Sequence, residues 1–145
     1  MIASFTRGYT FSASHRLHTD LLSPEANRAA FGKCNNPHGH GHNYRVFITV
    51  SGPISPETGM VINMATLDAV VRDHVLSRFD HHNLNLDPLF SQLVSTTENL
   101  TIAVYHLLHA ALAPAHLAMV RIEETENNFF EYSGAASPAP QTLGQ

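Results

Sequence analysis

From Ser4 to His15 the chain alternates with a period of two: Phe5, Arg7, Tyr9, Phe11, Ala13 and His15 share one face, and Ser4, Thr6, Thr10, Ser12 and Ser14 the other. That period predicts a strand with one covered face. Tyr44 to Val50 is β-branched and aromatic with apolar side chains alternating, a second strand stopped by Ser51-Gly52-Pro53. The period then changes. Behind Asn63, a good helix cap, Leu67, Val70, Val71, Val75 and Leu76 recur at helical spacing as far as Phe79. Leu100, Val104, Leu107, Leu108, Ala111 and Leu112 form the stripe of a second long helix, ended by Pro114. Ser95-Thr96-Thr97-Glu98 reads as its capping box, with Ser95 as the cap and Glu98 reaching back. Alternation returns from Leu117 to Glu124 and from Phe129 to Ser133, with Thr125-Glu126-Asn127-Asn128 as the turn between.

The order β-β-α-α-β-β predicts an α+β domain, a four-stranded antiparallel sheet with two helices on one face. Residues 1–133 are expected to form that single domain, and 134–145, rich in Ala, Pro, Ser and Gly, a flexible C-terminal tail. Arg16 to Lys33 is a long connection between the first two strands, with a short helix over Glu25 to Phe31 behind Ser23-Pro24.

With 145 residues and a 43% apolar fraction the chain builds one soluble core, but only 14% of it is charged, against about 25% in an average domain. So little charge suggests a surface covered by other copies, a homo-oligomer. A formal net charge of −4 without a basic cluster argues against a nucleic-acid or anionic-membrane partner. No apolar run reaches about 18 residues, and Met1 to Tyr9 lacks the apolar core of a signal peptide, so the expected location is cytoplasmic.

Candidate chemistry concentrates in Cys34-Asn35-Asn36-Pro37-His38-Gly39-His40-Gly41-His42-Asn43-Tyr44, which holds the only cysteine and three of eleven histidines. His40 and His42 begin the second strand, and side chains two apart on a strand point the same way, so the imidazoles can converge on one metal. Three histidines with an open fourth position are a usual catalytic zinc site. His15, at the far end of the first strand, supplies the third ligand if the two strands pair. The bland alternative is a polar loop whose histidines happen to alternate. Cys34 cannot form an intramolecular disulfide and is a buried apolar residue, a metal ligand or a reactive thiol. Asp80 beside His81 can orient that imidazole and raise its basicity, forming a proton relay. Glu124 continues an apolar strand face, where a lone carboxylate is costly unless it meets donors.

Taken together, Phe11-Ser12-Ala13-Ser14-His15-Arg16-Leu17, Phe31-Gly32-Lys33-Cys34-Asn35-Asn36-Pro37, Gly39-His40-Gly41-His42-Asn43-Tyr44, Asp80-His81, Thr96-Thr97-Glu98-Asn99 and Glu124-Thr125 resemble the 6-pyruvoyl-tetrahydropterin synthase family. The resemblance runs from about Phe11 to Tyr132. It implies the tunnelling fold, in which sheets of several subunits close into a barrel with active sites between subunits, commonly as a hexamer of two stacked trimers. It implies zinc on His15, His40 and His42, Cys34 as proton acceptor and Asp80 with His81 as a relay. By the same resemblance Glu124 anchors the pterin ring, with Glu98 and the Thr96-Thr97 backbone nearby. The implied activity is that of a carbon–oxygen lyase, converting 7,8-dihydroneopterin triphosphate to 6-pyruvoyl-tetrahydropterin with loss of triphosphate and no external redox cofactor. Arg16 and Lys33 flank these residues and are the cations available to a triphosphate.

Two branches of the family fit the loop. The pyruvoyl-forming branch resembles Cys-x5-His-x-His, matched by Cys34, His40 and His42, and usually has Asn where this sequence has His38. The 6-carboxy-tetrahydropterin synthases of the queuosine pathway resemble Cys-x3-His-x-His, which Cys34, His38 and His40 satisfy. The first register is chosen because Asn43-Tyr44, the polar-aromatic pair entering the strand, directly follows His40-Gly41-His42; His38 is then a rim residue. Outside this reading stand a non-catalytic zinc protein, with Cys34 closing the site as fourth ligand, and a hydrolase using zinc-bound water, whose turnover would survive loss of Cys34.

Overall fold

The structure, a computed structural model, describes residues 1–112 and 116–134. Strand β1 (Ile2–His15) leads through helix α1 (Pro24–Phe31) and a 3₁₀ turn (Gly32–Asn35) to β2 (His40–Pro53). Helix α2 (Met64–Val71) continues through a π-helical stretch (Arg72–Leu76) into α3 (Ser77–Phe79). After β3 (His82–Asn83) and two 3₁₀ turns come helix α4 (Thr97–Ala111) and strands β4 (Leu117–Thr125) and β5 (Asn128–Tyr132). The expected tail and Pro114 lie outside the described residues, apart from Gly134.

β1 and β2 are 14 residues each and pair antiparallel along their whole length, from Ile2 opposite Pro53 to His15 opposite His40. β4 pairs β2, and β5 pairs β4, both antiparallel. The expected four-stranded antiparallel sheet is corrected to five strands in the order β3-β1-β2-β4-β5. The fifth, β3, has two residues and runs parallel to β1 at Ala13 and Ser14. Its polar sequence carries no alternation; it is held by backbone bonds, His81 N–H donating to the Ser12 carbonyl at 2.6 Å.

One face of the sheet is dry. Phe11, Tyr44, Val46, Ile48, Val50, Val120 and Ile122 meet Leu67, Val71, Val75 and Phe79 from the α2–α3 run and Leu100, Val104 and Leu108 from α4. The opposite face is polar: Thr6 bonds Thr49, Ser12 bonds Asn43, and the Arg121 guanidinium lies 3.5 Å from the Phe129 ring centroid.

A half-buried pair ties α3 to the loop behind it. Arg78 Nε and Nη2 donate to the two Asp87 oxygens at 2.7 and 2.8 Å, and Asp87 also accepts the Leu89 amide at 2.9 Å. The Arg78 hydrogen bonds hold the Asp87 carboxyl below the ordinary carboxylate range. Asp87→Ala removes a cap and leaves Arg78 without its partner, and is expected to cost about 2 kcal/mol in urea unfolding at pH 7. Because the folded value is depressed, this contribution is complete above the ordinary carboxylate value and is lost as pH falls through the folded one. The gap between wild type and variant therefore closes in acid.

Candidate metal centre and active site

Pairing of His15 with His40, and of Ala13 with His42, brings His15, His40 and His42 to one end of the sheet on its helix-covered face. One ligand nitrogen from each falls within 4.8 Å of the other two. The ring centroids stand 4.6 to 5.2 Å apart, each pair edge-on. Gly39 lets the backbone turn into this arrangement: its φ is +72°, and a Cβ there would lie 3.0 Å from the His15 carbonyl oxygen. Both conditions strain any larger residue there.

The donor set fits a metal. His15 is buried, and its Nδ1 sits 2.7 Å from the Ser95 carbonyl, which can only accept, so the proton is on Nδ1 and the lone pair on Nε2. That Nε2 lies 3.0 Å from His40 Nε2, and His42 Nε2 is buried with no hydrogen-bond partner. Such convergence of buried nitrogens is costly without something to hold. Burial pushes His15 and His42 below the ordinary imidazole range, only partly offset by the Ser95 hydrogen bond and by the Glu124 charge respectively. Both rings are thus neutral at pH 7, the form that binds metals.

Glu124 joins the same group from β4, with Oε1 at 3.5 Å from His42 Nε2 and 3.8 Å from His15 Nε2. The donors it needed are present. Thr97 Oγ1 donates to Oε1 at 2.7 Å and Asn128 Nδ2 to Oε2 at 2.9 Å. Burial works to raise this carboxyl, but the hydrogen bonds from Thr97 and Asn128 and the nearby imidazoles outweigh it, holding Glu124 ionised below the ordinary range. Two of its roughly four lone-pair positions remain for a ligand.

The remaining expected residues divide. Cys34 is half-buried in the 3₁₀ turn, outside the converging nitrogens. The capping box is corrected by one residue: Thr96, not Ser95, caps α4 by accepting the Asn99 amide at 3.3 Å. Ser95 is buried and turned toward His15, while Glu98 is exposed and forms no part of the cap. Asp80 and His81 precede the edge strand β3, outside the three converging nitrogens, and His81 lines a pocket whose wall also includes His42. Asp80 accepts the Ser12 amide at 2.9 Å and pairs with His81 Nδ1 at 2.9 Å, beside Ser12, Ser14 and Asn43, whose side chains leave the other face of the sheet. The Ser12 amide, then His81, hold Asp80 below the ordinary carboxylate range. His81 is 81% exposed with φ +59°, so its ring is presented outward.

Ser95 and Asn128 were missed as site residues. Asn128 had a signal, lying four residues beyond Glu124 across a tight turn; Ser95 acts through its carbonyl, which any residue carries.

The family model described as 6-pyruvoyl tetrahydropterin synthase matches residues 4–135. The human 6-pyruvoyl tetrahydrobiopterin synthase is 47% identical over 133 residues, covering 91% of this chain and 92% of that protein. The Drosophila melanogaster protein of the same name is 47% identical over 135 residues, covering 92% of this chain and 80% of its own. The solved Caenorhabditis elegans 6-pyruvoyl tetrahydropterin synthase superposes with a TM-score of 0.89 at 42% identity, covering 93% of this chain and 97% of that one. Near-complete coverage at such identity, over a fold that brings the three histidines together, places the chain in the 6-pyruvoyl tetrahydropterin synthase family.

Proposed function

We propose that this protein converts 7,8-dihydroneopterin triphosphate to 6-pyruvoyl-tetrahydropterin, eliminating triphosphate. The observation that carries this reading is the meeting, at one end of the sheet, of three converging imidazoles with an ionised, donor-held carboxylate. Relatives named for the pyruvoyl reaction support it over the carboxy-forming alternative.

Each residue has a task its surroundings suit. Glu124, kept ionised by Thr97 and Asn128, accepts hydrogen bonds from the amino group and ring N–H of the pterin and so fixes the ring. His15, His40 and His42 would hold zinc, which when bound supplies the Lewis acidity that makes protons on the substrate's side-arm carbons removable. Cys34 takes such a proton as thiolate. Thr96, Thr97 and Glu98, at the start of α4, line the ring's side of the site. No external redox partner is needed: the two electrons lost as one side-arm hydroxyl becomes a carbonyl are gained by the dihydropterin ring, while the second carbonyl arises when the enol left by loss of triphosphate tautomerises and its terminal carbon becomes a methyl group.

Asp80 and His81 form the proton relay. Asp80 orients His81, and their outward position lets them serve the site of a neighbouring copy in a hexamer of two trimers. The polar sheet face is available for such association.

The test is incubation of zinc-loaded protein with 7,8-dihydroneopterin triphosphate and identification of products by mass spectrometry. A pyruvoyl product is the expected result. A carboxyl product with acetaldehyde would move the protein to the other branch, and no turnover would overturn the reading.

A further inference from the structure

A cleft of about 360 Å³ opens at the same end of the sheet, on the outer side of β1. Its wall carries Arg16, His18 and His38 together with Asn83 and Asn85, shares His15 with the metal centre, and contains no carboxylate. Arg16 and His18 are mounted. Asn35, 6% exposed, receives the Arg16 Nε–H on its carbonyl at 3.0 Å and presents its side-chain amide to His18 Nδ1 at 3.1 Å. Because that amide nitrogen can only donate, His18 accepts on Nδ1 and carries its proton on Nε2. Asn85 grips the Arg16 main chain from both sides, accepting its amide at 2.6 Å and donating to its carbonyl at 2.9 Å. The nearest acid, Asp20, lies 3.5 Å from His18 Nε2 but is fully exposed and free to turn away.

The position of the cleft matters as much as its lining. Across the sheet, Glu124 stands on β4, His40 and His42 on β2, His15 on β1, and the cleft beyond β1. The Glu124 carboxylate reaches to 3.8 Å from His15 Nε2, so the histidine centre stands between the carboxylate and the cleft, whose wall His15 shares. A ligand laid across the strands meets a ring anchor, then the metal centre, then the pocket that holds Arg16. The proposed substrate has the same order of parts: a bicyclic ring, a three-carbon arm, then phosphates.

We infer that Arg16, His18 and His38 form the subsite that receives the triphosphate group of the substrate. The inference rests on the proposed activity for its ligand and on the cleft for its residues. Arg16 offers a fixed fork to phosphate oxygens, and the two imidazoles donate N–H groups beside it. Lys33, the other cation near in sequence, is exposed outside the wall of this cleft and has no part in the subsite.

Titration calorimetry of inorganic tripolyphosphate into the metal-loaded protein, paired with steady-state kinetics on 7,8-dihydroneopterin triphosphate, tests it. His38→Asn, in an exposed loop, and His18→Gln are each expected to weaken tripolyphosphate about tenfold and raise KM similarly, with kcat within about twofold. Unchanged tripolyphosphate affinity and KM in both variants, or no tripolyphosphate binding by the wild type, would overturn the subsite while leaving turnover intact. Failure of the wild type to turn over, with tripolyphosphate still bound and weakened by both changes, would instead remove the proposed activity and keep the anion site.

Discussion

Cys34→Ala is expected to lower kcat by about 10³-fold while the protein keeps its metal, because a positioned general base contributes on the order of 10²–10⁴. The two halves of that result have separate causes. Metal is retained because the three converging nitrogens come from His15, His40 and His42, with Cys34 outside the group. Turnover falls because, in the proposed reaction, Cys34 is the group that takes the proton from carbon. Metal analysis and single-turnover kinetics on the same preparation read both. Substantial metal loss would make Cys34 a fourth ligand of a closed structural site, and undiminished turnover would favour attack by activated water.

His42→Ala is expected to do the reverse, lowering metal affinity by on the order of 10³-fold or more and abolishing turnover with it. Competition with a chelator measures the first. The ring is only partly buried and packs edge-on to its neighbours, so the sheet should survive its loss. Retained metal would show that the other nitrogens suffice and would sink the three-histidine assignment. The pH behaviour follows from the same burial. Since His15 and His42 are held below the ordinary imidazole value of about 6.5, they stay neutral in the folded protein while the unfolded polypeptide takes up protons. Metal-free protein therefore loses stability as pH falls through that value, the direction in which the unfolded state binds more protons.

Much of this was legible because the relevant signals are periodic or local. Alternation from Ser4 to His15 and from Tyr44 to Val50 marked the two long strands whose pairing carries His15 to His40, and helical spacing behind Asn63 ran as far as Phe79. What could not be read depends on main-chain partners distant in sequence. β3 is a strand only because the edge of β1 is there to accept it. At the start of α4, Ser95 and Thr96 are both competent caps; the choice was made by His15, which recruits the Ser95 carbonyl and leaves Thr96 to close the helix. Asp80 and His81 were expected in the same chemistry as the histidines, and their place at the edge of the sheet is set by bonds to the Ser12 main chain, far away in sequence, which a one-dimensional pattern does not carry.

That shift of one residue at the cap ties two parts of the site to the entrance of a single helix. Through Ser95, just ahead of the cap, the chain entering α4 touches a metal-facing imidazole, and through Thr97, the first helical residue, it touches the carboxylate assigned to the ring. The separation between the point where a ring is gripped and the point where its side arm is activated is thus gauged by the capped start of one helix rather than by the more compliant spacing of strands. The cap works as a caliper: a displacement of the whole segment carries both jaws together, and only a rearrangement of the cap itself would change the gap between them.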